Sequence, residues 1–164
     1  MQNGDKIIFT SVRLPCYFEN FGGSIFAYKL SLNNYLLNVP IGDERMYGIS
    51  VDDTGECVAS VFQNPEDYKS KLLGLSGDYL KLDDYVDIMN KHLSPNKFTN
   101  SKMTIEKFSS FQFPGVEDLA AMFEYYQTGK MNRDIELSKK LNKDLLSFEG
   151  WIVKNKENLI TQFQ

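Results

Sequence analysis

The chain has 164 residues, with 22 acidic and 18 basic side chains, a net charge of −4, 42% hydrophobic residues and 24% charged ones. A chain of this length buries on the order of 70% of its unfolded surface, enough for one domain with its own core, and its mildly acidic balance supplies no basic field for nucleic acid, so direct DNA or RNA binding is excluded as an expectation. No run approaches the roughly 18 apolar residues of a membrane span; Met1 to Lys6 lacks the basic and apolar regions of a secretory leader; and two cysteines without metal-ligand spacing fit a reducing compartment. The expected location is cytoplasmic, with nuclear entry open by size.

From Lys6, the apolar and β-branched run KIIFTSVRL reads as a strand. Pro15 stops it, because proline has no N–H to give to a sheet ladder. Cys16-Tyr17-Phe18-Glu19-Asn20-Phe21 follows at once, an aromatic and amide-bearing loop just past the carboxyl end of a strand, where open α/β sheets place ligands. The same residues read equally well as a strand corner whose aromatics belong to the core. Ser24 to Tyr28 is apolar without deciding between helix and strand, and Ser31 to Asn34 is a turn.

Tyr35–Val39 reads as a strand closed by Pro40 and the Gly42-Asp43 turn, and Met46–Val51 as another. A helix then begins, with Asp53 as its N-cap and Glu56 three residues on, over Val58, Ala59, Val61 and Phe62, until Asn64-Pro65 stops it. A carboxylate at that position invites a catalytic reading, but the capping role accounts for it better. Lys71–Leu75 reads as a buried strand, and Leu80–Leu93 carries helical spacing through Leu82, Tyr85, Val86 and Met89. His92, the only histidine, falls in the last turn, where a cation complements the helix dipole. Asn96–Thr99 reads as a strand and Met103–Phe108 as a short helix. Strands alternating with helices indicate an α/β fold.

Val116, Leu119, Ala120, Phe123 and Tyr126 share one face of an amphipathic helix, with Glu117, Glu124 and Gln127 pointing away. Tyr126-Gln127-Thr128-Gly129-Lys130 has the Tyr-x-x-x-Lys spacing of reductase catalytic pairs, in which lysine lowers the phenol's pKa from one helical turn away. Gly129 interrupts that turn, so the segment reads as a helix end with Tyr126 in the core. No Gly-rich strand-to-helix turn of the kind that cradles a pyrophosphate is present; Gly22-Gly23 lacks the third glycine.

The string Val12-Arg13-Leu14-Pro15-Cys16-Tyr17-Phe18-Glu19-Asn20 resembles the strand and loop beside the nicotinamide in NmrA-like proteins, an atypical branch of the short-chain dehydrogenase/reductase superfamily, although related reductases carry Leu-Arg-Pro where this chain has Arg-Leu-Pro. Ser50 to Gly55 is similar to the family's helix start after a core strand, and Phe113-Pro114-Gly115-x-x-Asp118-Leu119-Ala120-x-Met122-Phe123 to the helix that roofs its cleft. Asn132 to Leu137 and Phe148 to Ile152 match its tail, so the resemblance runs from about Thr10 to about Phe163.

The resemblance implies the C-terminal part of a Rossmann-type NAD(P)-binding fold plus its small α/β subdomain. Residues 1–34 would be the final strand and cofactor-side loop of the dinucleotide-binding domain, and residues 35–164 the subdomain. Tyr17, Phe18, Glu19 and Asn20 would line the cofactor, and Met122 and Phe123 a substrate pocket. It implies an NADP(H)-sensing regulator that binds regulatory or metabolic proteins and lacks a complete catalytic Ser-Tyr-Lys set, with NADP held only if the Gly-rich half is supplied. The alternatives are an NADPH-dependent short-chain-type reductase, and a cofactor-free interaction module or truncated isoform. Strands without their partners would expose a sheet edge and favour self-association.

Overall fold

A computed structural model describes residues 9–23 and 26–163. Of the expected first strand, residues 6–8 lie outside this range, as do Ser24 and Ile25 of the undecided apolar stretch. Among the described residues the fold is mixed α/β, with eight strands in three small sheets and eight α-helices.

Pro15 ends a strand, and the chain starts another one residue later. Strand β1 (Ser11–Arg13) runs parallel to β6 (Leu72–Gly74), with Val12 opposite Leu73. Strand β2 (Cys16–Tyr17) lies in a second sheet, parallel to β5 (Arg45–Ile49), which pairs on its other side, antiparallel, with β7 (Asp78–Lys81). The third sheet is the hairpin of β3 (Ala27–Ser31) and β4 (Asn34–Leu37), with β8 (Lys97–Asn100) parallel to β4. The apolar stretch that the sequence left undecided therefore enters a strand at Ala27. A boundary between residues 34 and 35 falls within β4, one arm of a hairpin whose two arms share one sheet.

The helices are α1 (Val51–Gln63), α2 (Pro65–Tyr68), α3 (Leu82–His92), α4 (Ile105–Ser109), α5 (Val116–Gln127), α6 (Ile135–Leu141), α7 (Phe148–Lys154) and α8 (Lys156–Gln162). Leu80 belongs to β7 and α3 starts two residues later. The expected longer helix takes in Leu80, which stands two residues from Leu82 and so off the helical stripe of Leu82, Tyr85, Val86 and Met89. His92 does lie in the last turn of α3, with Nε2 2.7 Å from Glu149 Oε1 of α7. The Asp53 capping role is overturned. Ser50 is the N-cap of α1, and Asp53, in its first turn, is buried. Its Oδ1 accepts from Asn142 Nδ2 at 2.8 Å and its Oδ2 from the Leu146 N–H at 3.1 Å, so it ties the loop before α7 to α1. Burial pushes the Asp53 carboxyl above its usual range, partly offset by those two donors.

Two apolar cores result, and β5 joins them. Met46 belongs to the larger, Ile49 to the smaller one that α1, β6 and α6 enclose through Cys57, Val61, Leu73 and Leu141. At the centre of the larger stand Phe18, Phe21, Tyr85 and Phe148, all 0–1% exposed. Phe148 meets Tyr85 edge-on at 4.6 Å between ring centroids, and lies 5.2 Å from both Phe18 and Phe21. Phe21 stacks on Tyr85 at 4.5 Å, and the Tyr85 hydroxyl donates to the Met46 carbonyl at 3.2 Å. Phe18 presses on β5 at Gly48 so closely that an added Cβ there would stand 2.5 Å from its ring.

Phe148→Ala removes the ring that all three other aromatics touch, and should cost about 3–5 kcal/mol of unfolding free energy. Phe62→Ala, on the outer face of α1 at 79% exposure, should stay within about 0.5 kcal/mol. Urea melts of the two variants make the comparison, and equal midpoints would place the core elsewhere.

Candidate functional site

The carboxyl ends of β1 and β2 open onto a cavity of about 1130 Å³, on the order of the larger small-molecule sites of folded proteins. Five segments build it. Strand β2, with the proline before it and the 3-10 turn after it, supplies Pro15, Cys16, Tyr17 and Asn20; β3 and β4 and the residues beside them supply Phe26, Tyr28, Leu36 and Asn38. The segment after β8 supplies Ser101, Met103, Lys107, Phe108, Phe111 and Phe113, and α5 roofs it with Leu119, Met122, Phe123 and Tyr126.

Its wall is largely aromatic because α4 and α5 pack ring on ring. Phe108 contacts Phe111, Phe113 and Phe123 edge-on at 5.9, 6.0 and 5.6 Å, and Phe123 reaches Phe26 at 6.1 Å. Edge-to-face pairs of this kind hold their rings in fixed orientations. The face expected of α5 is present in Val116, Ala120 and Phe123, which are buried, whereas Leu119 is on the exposed rim. Gln127 does not point away: its Nε2 donates to the Pro40 carbonyl at 2.8 Å.

Of the expected cofactor-lining residues, Tyr17 and Asn20 face the cavity, as do Met122 and Phe123 on its far side. Phe18 and Glu19 do not. Residues 18–22 form a 3-10 helix that turns Phe18 and Phe21 down into the core. Glu19 Oε1 accepts from the Val51 N–H and the Ser50 hydroxyl, each at 3.1 Å. The carboxylate thus sits on the first turn of α1 and supplies the cap that no local side chain provides. The fit to a dinucleotide is correspondingly divided. Aromatic and amide groups suit a nicotinamide, while the N-terminus of α1, which follows a parallel strand, already holds a carboxylate that would repel a phosphate.

Burial raises two titratable groups on the cavity, Cys16 and Tyr126. Cys16 accepts from Asn20 Nδ2 at 3.5 Å, but burial, aided by Glu19, pushes its thiol up to about 12. Burial likewise raises Tyr126, with Cys16 adding to the effect and Arg133 opposing it. Helix α5 ends at Gln127 and Gly129 has φ of +65°, so Tyr126 and Lys130 do not stand one helical turn apart. Sequence reading passed over Phe26, Asn38, Ser101, Lys107, Phe108 and Phe111. The one signal for them was the density of phenylalanine at 108, 111 and 113.

Alkylation follows the thiolate. Cys16, raised from 9.0 to about 12, and Cys57, raised to about 11, should therefore react with iodoacetamide at pH 8 on the order of a hundredfold or more slower than in urea. Peptide mass mapping against time reads both sites. Fast labelling of Cys16 in the folded chain would contradict its raised thiol.

Comparison with known proteins places this geometry. The family model described as NmrA-like matches residues 3–152. Among solved structures, an NADPH-dependent quinone oxidoreductase of Escherichia coli complexed with NADPH superposes with a TM-score of 0.70 at 18% identity, over 96% of this chain and 54% of that one. A nucleoside-diphosphate-sugar epimerase of Staphylococcus aureus gives 0.69 at 20% identity, over 89% of this chain and 52% of the other. The negative transcriptional regulator NmrA in complex with NADP gives 0.67 at 12% identity, over 94% and 56%. The chain thus spans little more than half the length of these proteins, and at such identities the likeness is one of fold.

Proposed function

The chain belongs to the NmrA-like family, and from that premise we propose that it acts in NADP(H) sensing, as the cofactor-side and substrate-side portion of a Rossmann-type regulatory protein. The observation that carries the reading is the aromatic cavity at the carboxyl ends of β1 and β2, with Tyr17 and Asn20 on one wall and Met122 and Phe123 on the other. Tyr17 and Asn20 would meet the nicotinamide end of the cofactor. Met122 and Phe123 would close the apolar side against water.

A binding role accords with the chemistry of the wall. Cys16 and Tyr126 are both held in their neutral forms by burial, so neither is tuned near neutral pH for proton transfer. The cofactor itself, when bound, supplies the hydride chemistry; these residues orient it and keep the site dry. Partners are regulatory or metabolic proteins whose docking depends on which redox form is bound. Self-association is a second proposal of the same reading, because Phe9, at 71% exposure beside β1, and Leu72, at 55% on β6, present apolar side chains to solvent. An NADPH-dependent reductase remains the second reading, favoured by the cavity's volume and its resemblance in fold to an NADPH-dependent oxidoreductase.

Without a Gly-rich phosphate cradle, the 164-residue chain should bind NADP with a dissociation constant of about 1 mM or weaker by calorimetric titration. Fused to a Gly-rich dinucleotide-binding half, it should bind far more tightly, and Tyr17→Ala should weaken that binding at least about tenfold more than Tyr79→Ala, since Tyr79 stacks on Tyr47 in the β5–β7 ladder and does not line the cavity. Micromolar binding by the chain alone, or equal effects of the two tyrosines, would refute this placement of the cofactor. Steady NADPH consumption by the fusion with quinone acceptors would favour the reductase.

A further inference from the structure

The cavity is chemically lopsided. No aspartate or glutamate is among its described lining residues, although acids outnumber bases in the chain, and Lys107 is the one charged side chain on the wall. Among the described residues no carboxylate stands within ion-pairing distance of its ammonium. The other polar groups beside it come from the same place in the fold. β4 and β8 are parallel, with Leu37 opposite Asn100, so Asn38 and Ser101 follow side by side at their carboxyl ends, and α4, which carries Lys107, begins four residues after Ser101. The rings of Phe108 and Phe123, 5.6 Å apart, supply apolar surface of the same wall. Carboxyl ends of parallel strands are where α/β sheets offer polar groups to ligands.

We propose that this cavity binds amphipathic organic anions: an aromatic or polycyclic apolar body carrying one carboxylate or sulfonate. The anionic group lies toward Lys107 and Asn38, since the Ser101 hydroxyl already donates to the Leu37 carbonyl at 2.9 Å, and the body packs on Phe108 and Phe123. The aromatic surface supplies most of the affinity, and the single cation selects the charge and the orientation, as a few placed polar groups do in otherwise apolar pockets. A dianion is disfavoured, because its second charge would be buried against rings with no counter-ion. The inference rests on the reading of Met122 and Phe123 as walls of a ligand pocket, and deepens it by naming what the pocket selects.

The test uses two dyes that share a ring system, anilinonaphthalene sulfonate and the uncharged phenylnaphthylamine, titrated by fluorescence into the folded chain. Lys107→Gln should raise the dissociation constant of the sulfonate about twofold to fivefold, the modest range expected of a solvent-exposed cation, and leave the neutral dye unchanged. Lys107→Arg should restore the sulfonate, and added salt should weaken the sulfonate alone. Met122→Trp, which fills the cavity, should weaken both dyes; Leu119→Trp on the exposed rim is the second occluding variant if Met122→Trp lowers the melting temperature. If an occluding variant displaces both dyes while Lys107→Gln leaves their affinity ratio unchanged, charge selection is overturned and the pocket stands. If neither dye responds to occlusion in a folded variant, the pocket reading itself fails.

Discussion

The packing of Phe148 against Phe18, Phe21 and Tyr85 is the contact on which the remaining architecture depends. It gathers three segments far apart in sequence: the 3-10 helix after β2, helix α3, and helix α7. None of these could bury its apolar face alone, since a five-residue 3-10 helix and a seven-residue α7 are well below the length at which helices persist in water. Once the rings interlock, β2 is held against β5, and the cavity inherits its floor from the same turn. Two-residue β2 contributes little as a strand; its position is set by Phe18 below it and Pro15 before it.

That dependence explains which features were legible in the sequence. Period and punctuation located α3, α5 and most of β4, β5 and β8, because Tyr85, Val86 and Met89, or Val116, Ala120 and Phe123, repeat on a helical stripe that packing then uses. Pro15 announced the end of β1 for a reason local to one residue. The family was legible from strings such as Phe113 to Phe123, which the family model over residues 3–152 supports. What was not legible is tertiary. Asp53 carries every local mark of an N-cap and instead accepts from Asn142 and Leu146, 89 and 93 residues away. Tyr17-Phe18-Glu19-Asn20 is one string in sequence, and the 3-10 helix divides it: two side chains face the cavity, one enters the core and one caps a helix. The cavity's cation could not be read, because nothing local to Lys107 marks it as facing Asn38 and the rings of α5.

Charge placement shows the same economy. In a chain with net charge −4, the carboxylates of Glu19 and Asp53 are both engaged at the N-terminal turn of α1, by backbone, hydroxyl and amide donors, and Asp78 Oδ2 accepts from the N–H of Phe148 at 3.1 Å. Each carboxylate thereby fixes a loop or a helix start, and the cavity wall is left with neutral thiol and phenol groups and one ammonium.

Borrowing the cap of α1 from Glu19 has a consequence for how the molecule breathes. The carboxylate arrives from 32 residues upstream, so the first turn of α1 has no protection of its own when the 17–22 segment lifts away. The wall of the cavity and the start of α1 are therefore one opening unit. In hydrogen exchange the Val51 amide would report on the residence of Tyr17 and Asn20 at the cavity, although it lies outside the lining and belongs to a helix packed on the other core.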